Sequence, residues 1–254
     1  MKLLKAMAIA FSIYSKIPMP QFEWKEEDME YMMCFFPWIG GVIGLFFCGW
    51  AVLCEKFAVG NVCYALIGAA IPLMISGGFH VDGYMDTMDA FHSYQSREKK
   101  LEILKDSHIG AFAAIMLALY YMIDIAAISE IHTQKAVSAL AAVFFLARCF
   151  SGIAVMTLQP AKKEGLLYTF ASSAQKVRVK AALYFQAALC VVLMLLVSGW
   201  YGAAAIGAAL LSFFYFKKKS YKEIGGITGD TAGFFVTVCE AAAAAAVAVA
   251  GYFL

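Results

Sequence analysis

Charged residues are scarce in this chain. Of its 254 residues, only 15% are Asp, Glu, Lys or Arg, while 63% are hydrophobic and the mean hydropathy is +0.74. Because a soluble domain carries about one-quarter charged residues, this shortage excludes an ordinary water-soluble protein. The net charge of +2 says little about partners, and no nucleic-acid partner is expected.

Cysteine pairs at disulfide or metal-binding spacing are also missing. The seven cysteines lie within or at the ends of apolar runs, and none belongs to a Cys-x-x-Cys pair. This distribution argues against a disulfide framework and against a zinc site. We therefore expect buried thiols that pack as small hydrophobic groups.

Long apolar runs are abundant, and several approach the roughly 20 residues that a helix needs to cross a bilayer. The sequence therefore predicts an all-α, polytopic membrane bundle that forms a single domain over residues 1–254. Apolar residues at helical spacing predict a short interfacial helix at the N-terminus, with a helix of the core as the alternative. About seven transmembrane helices are expected, with two short runs that leave the count open by one, near 31–54, 61–76, 111–128, 136–158, 181–198, 202–216 and 230–254.

Basic residues are distributed unevenly between the predicted loops. If the N-terminus is cytosolic, the inner segments hold seventeen of the twenty Lys and Arg residues, in 1–30, 77–110, 159–180 and 217–229. The positive-inside rule selects this orientation. It predicts that the polar motifs in these segments face the cytosol from the cytoplasmic (inner) membrane.

Three aspartates interrupt the apolar pattern directly after the second predicted span. Asp82, Asp86 and Asp89 are four and three residues apart, which on a helix places them within about a sixth of a turn of one another. Such a stripe requires a cation, and hard oxygen ligands suit Mg²⁺. Because Mg²⁺ shares phosphate oxygens with its substrates, the stripe indicates a diphosphate or phosphodiester substrate, with a solvated helix face as the alternative.

A second polar motif, Lys105-Asp106-Ser107-His108, precedes the predicted span 111–128. Lys105 is suited to neutralise phosphate, and Asp106 is suited to join the metal ligands. Asp106 or Ser107 is equally suited to cap the following helix, so the sequence leaves capping and catalysis open.

A glycine-rich element, Gly225–Gly229, leads into the last predicted span, and Asp230 follows it. Glycines of this kind let backbone N–H groups turn towards an anion at a helix N-terminus, although a tight structural loop has the same pattern. Asp230 adds a carboxylate that such a loop does not require.

Two charged residues fall inside predicted spans, Arg148 in 136–158 and Glu240 in 230–254. Charges at membrane depth usually pair or face a polar cavity. We therefore expect either an Arg148–Glu240 pair or an Arg148 that reaches a substrate phosphate.

Together these motifs resemble the adenosylcobinamide-GDP ribazoletransferase (cobalamin synthase) family. The matching segments are Phe79–Asp89, Lys105–Phe112 and Gly225–Asp230, and the stretches Ile17–Pro20 and Phe36–Gly44 are similar as well. One departure is His108, which stands where we expect an arginine in the family's motif.

The resemblance implies a transferase of cobalamin biosynthesis. In such an enzyme α-ribazole, or its 5′-phosphate, attacks adenosylcobinamide-GDP in a Mg²⁺-dependent phosphoryl transfer that releases GMP. The sequence leaves a homo-oligomer open. For this reaction we predict metal ligands Asp82, Asp86, Asp89 and Asp230, catalytic residues Asp82, Asp86, Asp89 and Lys105, and substrate-binding residues Asp106, Ser107, Arg148, Gly225, Gly226, Thr228, Gly229 and Glu240.

Two other functions agree less well with the sequence. A CDP-alcohol phosphatidyltransferase also sets aspartates on cytosol-facing helices, but its Ala-Arg pair and later acid spacing do not follow Asp82-Gly83. A cation transporter is expected to carry acids inside its spans. Most acids here lie in the inner segments, and Asp124 and Glu240 are the only acids clearly inside predicted spans.

Overall fold

The structure is a computed structural model that describes residues 2–162 and 174–253, so part of the predicted inner segment 159–180 lies outside the described residues. The described chain is helical, and its one isolated β-bridge joins Pro160 to Ile227. Short 3₁₀ turns occupy Glu26–Met29 and Met32–Cys34. The helices are α1 (Lys2–Tyr14), α2 (Phe36–Lys56), α3 (Asn61–Ser76), α4 (Phe79–His92), α5 (Arg97–Ile103), α6 (Ala111–Ile128), α7 (Gln134–Thr157), α8 (Lys176–Ser198), α9 (Trp200–Ile224) and α10 (Gly229–Gly251).

Five of these helices, α2, α6, α7, α8 and α10, are long and apolar enough to cross a membrane. The pair α3–α4 is a sixth candidate, although its two helices are bent by 97°. The predicted polytopic bundle is confirmed, and length and composition give five or six spans, where we expected about seven with the count open by one. The predicted run 202–216 lies in α9, where the apolar stretch is short and the lysines 217–219 follow it directly.

The centre of the bundle is α7. Within the apolar window of α7, 78% of the residues are buried, compared with 28% for the peripheral helices α6 and α8. Glycines let α2 approach α7 closely, because a Cβ on Gly40 would overlap the Phe144 carbonyl and one on Gly44 would overlap the Ala141 carbonyl. Close contact through small residues is the usual way in which helices associate in a membrane.

The predicted N-terminal helix is present as α1. Ala6 and Ile9 on one side are buried, whereas Leu3 and Leu4 are exposed. Lys5 Nζ lies 3.2 Å from Asp28 Oδ2, which joins α1 to the following 3₁₀ turn. The helix therefore rests against the bundle with one apolar face uncovered.

A sharp bend separates α3 from the aspartate-bearing helix α4. Gly77 and Gly78 adopt φ angles of +68° and +87°, a region that glycine enters without steric cost. The Gly77 N–H donates to the Leu73 carbonyl at 2.8 Å and so ends α3. Because of the 97° bend, α4 does not continue the line of α3.

Candidate active site

Two glycines bring α4 against the start of α10. A Cβ on Gly83 would lie 2.8 Å from the backbone oxygen of Asp230, and a Cβ on Gly233 would lie 3.1 Å from the backbone oxygen of His80. Larger residues at either position would force the helices apart. The close packing places Asp230 beside the aspartates of α4, although nearly 150 residues separate them in sequence.

The first turn of α10 holds Asp230 in a network of hydrogen bonds. Thr228 Oγ1 accepts from the Thr231 N–H at 3.2 Å, and Thr231 Oγ1 accepts from the Thr228 N–H at 2.8 Å. The Thr228 hydroxyl also donates to Asp230 Oδ2 at 3.3 Å. Thr228 is therefore the N-cap of α10 and positions the Asp230 carboxylate.

The carboxylates of α4 and α10 influence one another. Burial and then the charges of Asp82, Asp230 and Asp89 raise the pKa of Asp86 to about 7. The predicted stripe on α4 therefore acts as one electrostatic group, which Asp230 extends. A cation among these side chains would be stabilised by all of them.

Asp89 already has partners, which the sequence did not predict. Its carboxylate accepts hydrogen bonds from the N–H groups of Gly110 at 2.6 Å and Ala113 at 2.9 Å. Asp89 thus caps the N-terminus of α6 from the neighbouring helix α4. The carboxylates of Asp82, Asp86 and Asp230 do not cap a neighbouring helix.

Capping of α6 by Asp106 or Ser107, one of the two roles that the sequence left open, is not observed. Asp106 instead accepts from the His108 backbone N–H at 3.0 Å and pairs with His108 Nδ1 at 2.6 Å, which lowers the pKa of Asp106. Ser107 is exposed, and neither residue lines the cavity described below. Since Asp89 satisfies the N-terminal N–H groups of α6, the helix does not need a cap from this loop.

The carboxylates fit a Mg²⁺ ion that is shared with a substrate. In the described part of the chain, no group of three or more Asp, Glu, His or Cys side chains is arranged to hold a metal by itself. Mg²⁺ commonly uses one or two carboxylates together with waters and substrate phosphates. The hard oxygens of Asp82 and Asp86, with Asp230 nearby, suit such an open site better than a closed protein cage.

A cavity of about 460 Å³ opens between α4, α10 and the loops beside them. It lies within the roughly 300–1,000 Å³ range of small-molecule sites. Ser151 on α7 also lines it. Its charged and polar wall contains predicted and new residues, namely Asp82, Lys105, Lys162, Thr228, Gly229 and Asp230.

Lys162 was not predicted as a site residue, and a backbone contact explains its position. The Ala161 N–H donates to the Ile227 carbonyl at 2.8 Å, and the Ile227 N–H donates to the Gln159 carbonyl at 3.0 Å. This bridge holds the segment after α7 against the glycine-rich element. The basic residues that follow the span 136–158 were the only sequence signal for Lys162.

Gly225 and Gly226, which we predicted to bind the substrate, pack against protein groups and do not line the cavity. Gly225 ends α9 with a φ of +73°, and the guanidinium of Arg97 lies directly against it. A Cβ on Gly226 would lie 2.6 Å from the Gln159 carbonyl. Gly229 differs, because open space surrounds it at the cavity wall.

Arg148 and Glu240 form the predicted pair inside the bundle. Arg148 Nη1 donates to Glu240 Oε1 at 2.7 Å and to the Phe144 carbonyl at 2.7 Å. The side chains are 1% and 8% exposed, and neither lines the cavity. The pair therefore connects α7 to α10 and is not part of the cavity wall.

Aromatic residues also line the cavity. Tyr14, Phe36 and Phe79 come from three separate segments and surround His80. A second, more open groove of about 540 Å³ lies between α1, α4 and α6, and Phe79 and Asp82 line both spaces. Only the contacts of the folded chain bring these aromatic rings together.

The fold and the cavity define a polytopic membrane protein with a carboxylate- and lysine-lined site for a small molecule. The profile of the family described as cobalamin-5-phosphate synthase matches residues 6–248. The chain belongs to this family.

Three relatives of the chain bear the name adenosylcobinamide-GDP ribazoletransferase. One from Lachnoclostridium phytofermentans is 43% identical over 98% of this chain and 95% of its own. One from Clostridium botulinum is 34% identical over 94% of both chains, and one from Azorhizobium caulinodans is 30% identical over 95% of this chain and 94% of its own. No solved structure matches the chain.

Proposed function

We propose that this protein is a membrane transferase that joins α-ribazole, or its 5′-phosphate, to adenosylcobinamide-GDP and releases GMP. The family assignment and the names of its relatives support this activity over a CDP-alcohol phosphatidyltransferase or a cation transporter. The observation that carries the proposal is the cavity where Asp82, Asp230, Lys105 and Lys162 meet.

The reaction is a transfer of a phosphoryl group to a sugar hydroxyl. The hydroxyl oxygen forms a bond to the phosphorus that carries the corrinoid, the bond from that phosphorus to the GMP oxygen breaks, and the hydroxyl proton leaves. Asp82 and Asp230 are the carboxylates that line the cavity, so they are the candidates to accept this proton. Catalysis then depends mainly on alignment and on compensation of charge.

Lysine side chains supply part of that compensation. Lys105 and Lys162 lie on the cavity wall, where they attract the phosphates and hold them beside Asp82 and Asp230. We propose Mg²⁺ as the cofactor, held by Asp82 and Asp86 with Asp230 close by. When bound, Mg²⁺ supplies further positive charge to phosphate oxygens.

The two substrates differ greatly in size. Adenosylcobinamide-GDP contains a whole corrin ring and cannot enter the 460 Å³ cavity as one piece, whereas α-ribazole is a nucleoside. Because Asp82 and Phe79 line the cavity and the neighbouring groove, a phosphate beside Asp82 can be approached from both sides. We assign the corrinoid to the groove and α-ribazole to the cavity.

The basic residues of the inner segments support a site at the cytosolic face of the cytoplasmic membrane. The homo-oligomer left open by the sequence stays a prediction.

The activity is tested with purified protein in nanodiscs. Incubation with adenosylcobinamide-GDP, α-ribazole and Mg²⁺ should release GMP and form adenosylcobalamin in equal amounts, measured by chromatography. CDP-diacylglycerol in place of adenosylcobinamide-GDP should release no CMP. Release of CMP without release of GMP would refute the proposal.

A further inference from the structure

His80 is buried without a hydrogen-bond partner. The residue is 5% exposed, and neither ring nitrogen has a partner among the described residues. A buried polar group without a partner destabilises the folded protein, and such groups often serve a ligand. His80 lines the cavity, so a molecule bound there is close enough to supply the missing partner.

Three aromatic rings surround this imidazole. Tyr14 stacks on His80 with ring centroids 6.2 Å apart and an angle of 9°, while Phe36 and Phe79 lie at 5.6 Å and 5.7 Å. Tyr14 also contacts Phe36 at 4.6 Å and Phe79 at 5.1 Å. We call Tyr14, Phe36, Phe79 and His80 the aromatic box. It offers flat apolar surfaces and one polar group, the imidazole.

The cavity wall therefore contains two chemically different sets of residues. The aromatic box supplies one set, and the carboxylates and lysines at Asp82, Lys105, Lys162 and Asp230 supply the other. A nucleoside has the same division, with a flat base at one end and a polar sugar or sugar phosphate at the other. The arrangement fits a nucleoside whose sugar points towards Asp82.

The chemistry of the box distinguishes between the two bases in the reaction. Guanine carries several donors and acceptors along its edge, and a site with one imidazole would leave most of them unpaired. The dimethylbenzimidazole of α-ribazole has two methyl groups and a single free ring nitrogen, which is an acceptor. An imidazole carries at least one N–H in either of its protonation states, so His80 can donate to that nitrogen.

We propose that the aromatic box binds the base of α-ribazole and that His80 donates a hydrogen bond to its free ring nitrogen. This inference rests on the proposed transferase function and adds a recognition site to it. The rings of Tyr14, Phe36 and Phe79 contact the faces and methyl groups of the base. His80 then determines which base the enzyme accepts.

The test compares wild type with His80→Phe, which keeps an aromatic ring but removes both nitrogens. The KM for α-ribazole and its Kd from calorimetry should each rise about tenfold, the effect of losing one hydrogen bond. The KM for adenosylcobinamide-GDP should stay unchanged. An α-riboside of 5,6-dimethylindole, which lacks the acceptor nitrogen, should bind wild type about tenfold less tightly but should bind His80→Phe as well as α-ribazole does.

His92→Phe is the matched control on the same helix. His92 Nδ1 contacts the Met88 carbonyl at 2.8 Å, and the residue is outside the cavity. This variant should keep the wild-type KM for α-ribazole. If His80→Phe fails to fold, Tyr14→Leu tests the box from another helix and should raise the same KM.

Two results would overturn the inference. One is a wild-type KM and Kd for α-ribazole in His80→Phe, and the other is an equal rise in KM for both substrates. Failure of the proposed function gives a different result, because wild-type enzyme would then release no GMP. Tight binding of α-ribazole by wild type that His80→Phe weakens would support the box even in that case.

Discussion

At the scale of single residues, Asp86 is the position where we expect a substitution to affect stability and activity most differently. It lies among Asp82, Asp89 and Asp230, whose charges raise its pKa. We expect Asp86→Asn to fold at least as well as wild type, because the substitution removes repulsion. Its Mg²⁺-dependent GMP release should fall by about 100-fold or more, because a metal ligand is lost.

The measurement combines thermal unfolding with GMP release over a Mg²⁺ titration. Glu102→Gln is the matched control, because Glu102 is an exposed acid whose only described ion pair is with exposed Lys99. It should leave both quantities unchanged. Near-normal turnover by a well-folded Asp86→Asn protein would contradict the metal assignment.

Asp89 should behave differently, although it lies on the same stripe. Its carboxylate accepts from the backbone of Gly110 and Ala113, and an asparagine oxygen can still accept from one of them. We expect Asp89→Asn to retain most activity. Asp89→Ala should lose about 1 kcal/mol of unfolding free energy, as other lost helix caps do.

Chemical denaturation and GMP release on the two variants check this expectation. If Asp89→Asn loses activity as completely as Asp86→Asn while remaining stable, Asp89 binds the metal and the capping role is secondary.

The sequence predicted which types of residue form the site, but it did not predict which groups each of them contacts. Helical spacing predicted the stripe at Asp82 and Asp86. The partners of Asp89 lie about twenty residues further along the chain, and spacing within one helix does not indicate them. Lys162 reaches the cavity only because the segment after α7 pairs with Ile227.

At the scale of helices, the Arg148–Glu240 pair links α7 to α10. Removing one partner leaves a charge buried without compensation, which typically costs about 3–5 kcal/mol. We expect Arg148→Met to destabilise the protein by this amount. The double variant Arg148→Met/Glu240→Gln should recover most of the stability, because it leaves no charge behind.

Thermal unfolding in detergent measures this recovery. Since neither side chain lines the cavity, the double variant should release GMP at a rate close to that of wild type. A stable double variant without activity would show instead that Arg148 acts on the substrate.

The contact of α2 with α7 provides a second test at this scale. A Cβ on Gly40 would overlap the Phe144 carbonyl, whereas a Cβ on Gly49 of the same helix meets open space. We expect Gly40→Ala to separate the helices and to lower stability by about 1–3 kcal/mol, as overpacking does. Gly49→Ala should be neutral or slightly stabilising, because alanine favours the helix.

Melting temperatures of the two purified variants measure the difference. Equal melting temperatures would mean that the close approach of α2 and α7 is absent from the protein in a membrane.

For the whole molecule, hydropathy predicted the helical bundle but not the direction of every segment. The bend at Gly77 and Gly78 turns α4 by 97° away from the line of α3. A sequence shows that glycine permits such a turn but not that the chain takes it. The sequence is also insufficient for α9, because the length of its apolar run alone does not decide whether this helix crosses the membrane.

The distribution of Lys and Arg predicts the orientation of the whole protein. In the proposed orientation the loop around Gln95 lies in the cytosol with the active site and the loop around Lys135 lies outside; both residues are exposed. In a Cys63→Ser background, which removes the exposed native thiol, we expect a membrane-impermeant maleimide to label Lys135→Cys in intact spheroplasts. Gln95→Cys should react only after permeabilisation, when both positions label equally. Labelling of Gln95→Cys from outside would reverse the orientation and place the carboxylates and lysines of the cavity on the side of the membrane that lacks nucleotide substrates.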